Sequence, residues 1–533
     1  MQNPLENQSA APVRGDQPKL APLMEGLVKL LRGQQRQVWR GSKVHVPEIA
    51  SGAYFVYEQM RNAVEYREQH LFVRGAIERF LLRELRPGEV EGLGLDLVSE
   101  LTKTRYLKND SVHDDEVAYL DYIVGRYGTM QQIALNIPGA DRDEIAEEVV
   151  QLLSVELERT LQPNPTEAAI VEFTYASFIE HADVAPEDHL ALYAAVHKAL
   201  LKSDLATIRY GVFSRTFPHW LEDDEQMLRA GKEFSATMNK LNEQMQGAAT
   251  QRMFRLVRRH IAPYLILREI IKTSSEGLEH LAAQPSALIE RTRSVAEAQY
   301  QIVSQRLRRS VIQAIIFLFI TKIVLGLAVE VPYELFVYGE VHHLTLAINL
   351  LFPPLYMALV GFTIKIPGQR NTTRILSDLK RIVYANETPM KYSLKPKGRA
   401  SKFRSAFSFF YGLTSLATLA GVAWGLNALG FNIVSGVIFF VFLSTVSFFA
   451  YRIAHSVREY AVIEEDPGLL ASLSDFLLTP FIRVGQWLSE KYSKINIFTT
   501  ILDIIIETPF KTILRIIEQW NAFLREKRDD VLR

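Results

Sequence analysis

The sequence contains no cysteine, which excludes disulfides, thiolate catalysis, Cys-ligated zinc and iron–sulfur clusters together. It also lacks a charge imbalance. Its 60 Lys and Arg residues match 60 Asp and Glu, so net charge calls for neither nucleic acid nor an acidic partner. Catalytic signatures are missing too: no G-x-x-x-x-G-K-[ST] loop, H-E-x-x-H, G-x-S-x-G elbow or EF-hand loop occurs. Gly92-Leu-Gly94 is too short for a dinucleotide fingerprint. His113-Asp114-Asp115 reads as the acidic start of a helix. His181 and His189 lie among Glu180, Asp183, Glu187 and Asp188 in a solvated connection, and His342-His343 beside Glu340 has no ligand set at helical spacing. No catalytic residue, metal set or cofactor is assigned, and nothing in the chain argues for an enzyme.

The first residues also lack a basic stretch followed by an apolar core, so they do not read as a secretory signal. The expectation is that the front half stays in the cytosol. Residues 1–20, polar and proline-containing, read as a disordered tail.

What the chain has is four long apolar runs, Val311–Val329, Leu344–Ile366, Ala406–Leu429 and Ile433–Tyr451. Each is near the roughly 20 residues a helix needs to cross a hydrocarbon core of about 30 Å. In lipid the chain satisfies its own backbone, so such runs predict transmembrane helices. The segment between the second and third runs carries Lys365, Arg370, Arg374, Lys380, Arg381, Lys391, Lys395, Lys397, Arg399, Lys402 and Arg404 against only Asp378 and Glu387. The segment between the first and second has Glu330, Glu334 and Glu340 and no basic residue. Arg306, Arg308 and Arg309 precede the first run, and Arg452 and Arg458 follow the fourth. The positive-inside rule then predicts four spans with both termini cytosolic, in a plasma or bacterial inner membrane. The basic residues of 367–405 set this topology; Arg370, Arg374, Lys380, Arg381, Lys395, Lys397, Arg399, Lys402 and Arg404 are also candidates for anionic lipid.

The expected fold class is all-α: a polytopic helical membrane protein with a cytosolic helical domain over 21–220, a long helical segment over 221–310, the membrane block over 311–451 and amphipathic helices over 452–533. Apolar residues of the front half recur at three- and four-residue spacing, as in Phe55, Met60, Val64 and Leu71, Phe72, Ile77, Phe80, Leu81. Only Ala206–Phe213 alternates like a strand. Pro218–Asp224 is the expected internal boundary, and Ser111 an expected helix cap. Within Ser286–Ser310 apolar residues recur by sevens, Leu288, Val295, Ile302 and Ile289, Ala296, Val303. The intervening positions are polar, which predicts one narrow buried stripe running into the first span rather than a coiled coil.

Polar residues inside the runs are the candidate site. Lys322 lies in the first run, and Lys322, Gly326 and Glu330 are spaced by four. Such a charge either faces the bundle or a polar path, or snorkels outward to meet Glu330 at the interface. The second reading is the one expected here. The second run holds Asn349 and Pro353-Pro354; the prolines free the carbonyls of Asn349 and Leu350, as a kink or as part of a binding site. In the third run Ala417, Gly421 and Gly425 form a small-residue stripe, expected to pack on the fourth span or to join two copies. The C-terminal stretches Leu469–Leu488 and Ile495–Leu524 are expected to lie on the membrane interface or on the cytosolic domain.

The function expected from these features is a membrane-anchored scaffold or interaction protein. Its partners would be the bilayer, a cytosolic protein and in some form a second copy, but not nucleic acid. The alternative is a channel or transporter with a cytosolic regulatory domain, working through Lys322, Glu330, Asn349, Pro353 and Pro354.

Overall fold

The computed structural model describes residues 19–33, 39–47, 51–65, 71–85, 92–274, 277–387, 391–392, 404–462 and 469–494. The expected tail over 1–20 and the stretch Ile495–Leu524 fall almost wholly outside these. Among the described residues every named element is helical, and extended pairing is confined to three isolated bridges, Leu20 with Tyr384, Lys43 with His113 and Ala182 with Tyr392. Ala206–Phe213 lies in the helix Leu205–Thr216, where Asp204 caps by accepting from the Thr207 N–H at 3.0 Å. Ala206, Ile208, Tyr210, Val212 and Phe213 of this helix are all buried. Burial on more than one face is what made its pattern look alternating.

The chain divides into two compact units. One comprises Gln34–Pro165, Ala185–Phe254 and Ser489–Arg533. Its core is built on the helix Asp114–Leu135, whose Leu120, Ile123, Tyr127 and Met130 are fully buried. The helix opens with Asp114, Asp115 and Glu116, which complement the helix dipole. Ser111 is not its cap: the Ser111 hydroxyl donates to the Lys108 carbonyl at 2.6 Å. Trp220 meets the Tyr127 ring edge-on at 4.7 Å and Phe213 at 5.4 Å. Ala230, Phe234 and Met238 of the helix Asp224–Gln246 complete this core. The boundary expected at Pro218–Asp224 therefore falls inside one packed unit, because Phe217 and Trp220 on one side and Phe234 on the other bury the same apolar surface.

The other unit comprises Met1–Gly33, Thr166–Val184 and Arg255–Leu488. It holds four helices long and apolar enough to cross a membrane, within Pro285–Val337, His343–Thr363, Ser408–Ala428 and Ile433–Ala454. The first apolar helix is 53 residues long, or about 80 Å at 1.5 Å per residue. It runs as an α-helix over Pro285–Leu325, widens to a π turn over Gly326–Glu330 and continues over Val331–Val337. Leu288, Thr292, Val295, Ala296 and Tyr300 form its buried stripe. The seven-residue spacing lapses at Ile302, which is exposed, while Tyr300 turns inward. The helix does not end at Val329. Glu330 and Glu334, expected in a loop, are helical and buried.

The second apolar helix packs along the first and the fourth. A Cβ on Gly361 would come within 2.8 Å of Val311, so the backbones there approach closely. Leu318, Met357, Val446 and Ala450 fill the space between the three helices. The third helix, Arg404–Ala428, does not use its small-residue stripe among the described residues. Ala417 is exposed, and nothing lies within 4 Å of a Cβ placed on Gly421 or Gly425. It meets the fourth helix instead near the connecting turn, through Leu426, Phe431 and Phe439.

The basic connection is not a plain loop. It contains the amphipathic helix Gln369–Val383, which buries Ile375, Leu379 and Ile382. Asn371 anchors it, donating to the Tyr300 hydroxyl at 2.9 Å and the Tyr460 carbonyl at 2.6 Å and accepting from the Val462 N–H at 2.7 Å. Arg370 and Arg374 stand exposed, while Lys380 and Arg381 are half-buried. Arg404 opens the third apolar helix; Lys395, Lys397, Arg399 and Lys402 lie outside the described residues.

The helix Leu469–Lys494 has a packing partner that its sequence did not name. It lies against the fourth apolar helix: Phe481 stacks on Phe440 at 6.1 Å, and a Cβ on Gly485 would collide with the Ser444 carbonyl and the Phe448 side chain. Overpacking such a contact costs roughly 1–3 kcal/mol, enough to lower its population about tenfold. Gly485→Val is thus expected to release this helix. Because the chain lacks cysteine, a Phe481→Cys, Phe440→Cys pair reports the contact directly: it should oxidise readily in the native background and poorly beside Gly485→Val.

Candidate functional site

Two of the sequence candidates meet inside the three packed apolar helices. Lys322 Nζ lies 3.1 Å from Glu330 Oε1, and the two side chains are 1% and 2% exposed. The Lys322 side chain turns into the bundle and not onto its outer surface. In a regular helix residues eight apart stand about 80° apart around the axis. The π turn over Gly326–Glu330, with more residues per turn, carries Glu330 back toward the face of Lys322. The ammonium also lies 4.6 Å from the centre of the Phe442 ring, a cation–π contact that partly replaces lost hydration.

Asn349 joins the same cluster. Its Nδ2 donates to Glu330 Oε1 at 2.7 Å and to the Ser435 carbonyl at 3.3 Å. Its Oδ1 is buried and has no hydrogen-bond partner among the described residues, an acceptor left free where each such group is costly. Pro353 and Pro354 are buried one turn further on, and the second helix runs through them unbroken over His343–Thr363. The carbonyls of Asn349 and Leu350 lack the N–H groups a regular helix would supply. A cavity of about 130 Å³ opens beside the pair, lined by Lys322, Gly326, Glu330, Val331, Leu346 and Leu350.

Four residues that sequence reasoning missed extend the cluster. Glu334 accepts from the His342 N–H at 2.8 Å and from Asn432 Nδ2 at 2.9 Å. His342 Nδ1 is 3.9 Å from the same carboxylate. Asn432 Oδ1 accepts from the Ser435 N–H at 2.8 Å, capping the fourth helix. A signal for Glu334 existed, since it continues the four-residue spacing of Lys322, Gly326 and Glu330. No spacing pointed to Asn432 or Ser435.

Another cavity, about 790 Å³, lies in the other unit, with Lys198, Asp204, Arg209, Asn242 and Glu243 on its walls. Its buried arginine already has partners: Arg209 is paired with Glu148 at 3.1 Å and with Asn242 Oδ1 at 2.7 Å. Among the described residues no group of three or more His, Cys, Asp or Glu is placed to hold a metal ion.

Comparison of the chain with protein-family models, with curated proteins and with solved structures returns no match.

Proposed function

We propose that this chain is a multi-pass membrane protein, both termini cytosolic, whose membrane helices carry a cation- or proton-handling transport site governed by the helices outside the membrane. One observation carries the reading: the Lys322–Glu330–Asn349 cluster, buried among apolar helices whose outward faces expose Phe317, Val324, Leu327, Phe362, Trp424 and Ile433. Hydrocarbon rather than water suits such a surface, and ionisable groups inside it mark ion or proton routes more often than they stabilise. Had Lys322 turned to the outer surface, the scaffold reading would have stood first. Leu318, Met357, Val446 and Ala450 close the bundle beside the cluster, so the site suits a carrier or a closed gate rather than an open pore.

The scaffold reading remains second. What favours it is the separately packed unit around Tyr127, Phe213 and Phe234, which contributes no residue to the Lys322–Glu330–Asn349 cluster. Flux of protons, monovalent cations and small solutes into liposomes holding the full-length protein separates the two. The transport reading expects flux of at least one such species above protein-free vesicles. A well-folded protein that passes none of them would leave the scaffold reading in place.

A further inference from the structure

The cluster is one end of a graded series. Exposure of the titratable side chains rises from Lys322 at 1% and Glu330 at 2% through Glu334 at 3% to His342 at 44%. Lys322 meets Glu330, His342 meets Glu334, and the two glutamates stand four residues apart on one helix, their Cβ atoms about 6 Å apart across one turn. Hydrogen bonds from Asn349 to the Ser435 carbonyl, from the Ser435 N–H to Asn432, and from Asn432 to Glu334 hold the carboxylates in register. The amides position and do not carry protons. The cavity of about 130 Å³ borders Lys322 and Glu330 but not Glu334, so transfer between the two carboxylates has to span one helix turn. On the far side of Lys322 the bundle is closed by Leu318, Met357, Val446 and Ala450.

Resting on the transport reading above, we propose that the handled species is the proton, and that it enters from His342 through Glu334 to the Glu330–Lys322 pair. An imidazolium at His342 passes its proton to the Glu334 carboxylate, and the resulting acid passes it to Glu330. Protonated Glu330 no longer balances Lys322, whose ammonium then releases its proton to water when the apolar closure opens; Glu330 returns its own proton to the lysine amine 3.1 Å away, restoring the ion pair. Each transfer moves one proton, and water is the final acceptor. The other charged or titratable groups near the entrance are Glu340, His343, Tyr333 and Tyr338. Tyr338 touches the His342 ring edge-on at 6.0 Å, while Glu340 and His343 are exposed. The elements packed around the pair contribute Phe442, Asn349 and Ser435, all uncharged.

Proton flux driven by a potassium diffusion potential, read by a trapped pH dye in liposomes of the full-length protein, tests the path. His342→Ala should cut the flux about tenfold or more. Glu334→Gln should cut it similarly, and Glu340→Gln, an exposed neighbour outside the series, should leave it unchanged. His342 is on the surface, so its variant stays informative even if Glu334→Gln folds poorly. Proton flux indifferent to His342 and Glu334 would overturn the path while leaving the transport reading. Flux of another cation without protons would do the same. No flux of any species would sink both.

Discussion

Lys322→Met or Glu330→Met, made alone, is expected to destabilise the membrane block by about 3–5 kcal/mol, because each leaves its partner charged and buried without a counter-ion. The double variant Lys322→Met, Glu330→Met should recover most of that loss, since two apolar side chains of similar volume need no compensation there. It leaves Asn349 with a donor bonded only to the Ser435 carbonyl, a residual cost of roughly 1–3 kcal/mol. Thermal unfolding in detergent, followed by size-exclusion elution, reads the pattern: two damaged singles and one nearly native double. Equal, small effects in all three would mean that the pair is solvated and the buried geometry wrong. The non-additivity is the informative quantity, because only directly coupled residues produce it.

A second large effect is expected from acid. His197 is 2% exposed, its Nδ1 bonds the Ser203 hydroxyl at 3.2 Å, and its Nε2 has no hydrogen-bond partner among the described residues. Burial, reinforced by Arg159 and Arg215, pushes the imidazole down to about 3 from its usual 6.5. Between those values the unfolded chain binds a proton that the folded one refuses. The contribution is therefore fully present above about pH 6.5 and is lost progressively as pH falls toward 3. From this group alone the unit around Tyr127 should be about 2 kcal/mol less stable at pH 5 than at pH 7. His260, pushed down to about 4 chiefly by burial, has the same sign in the other unit. Buried carboxylates such as Glu148, raised mainly by burial, oppose this trend just above their ordinary range. The clean observable is thus the difference between the native chain and His197→Leu. Its denaturant midpoint should fall much less between pH 7 and pH 5. A parallel fall in both proteins would show that His197 is not the responsible group.

The helical architecture was legible because its signals are local. The second, third and fourth runs lie within a few residues of the helices His343–Thr363, Arg404–Ala428 and Ile433–Val457. The first run was cut short at Val329 because a glutamate ordinarily ends an apolar span. Here Glu330 and Glu334 are satisfied by Lys322, Asn349, Asn432 and the His342 backbone, contacts that depend on how separate helices face one another. For the same reason Lys322 with Glu330 and Asn349 with its prolines read as two separate sites, although folding joins the first two residues to Asn349. Spacing placed Lys322 and Glu330 near one face but could not show the π turn that aligns them. The small-residue stripe of the third helix shows the converse. Its spacing permits close approach, yet nothing in it names a partner, and the packing falls on Leu426 instead. Gly485 carried no pattern at all, and only the neighbouring Ser444 backbone reveals why a side chain there does not fit.

The most direct test of the central claim compares the native protein with the folded double variant Lys322→Met, Glu330→Met in liposomes under a potassium diffusion potential. The account predicts potential-driven proton flux in the native protein and its loss, to the level of empty vesicles, in a double variant that elutes and unfolds like the native. Equal flux from both would contradict it, placing the permeation route outside the buried pair and returning Lys322 and Glu330 to a structural role.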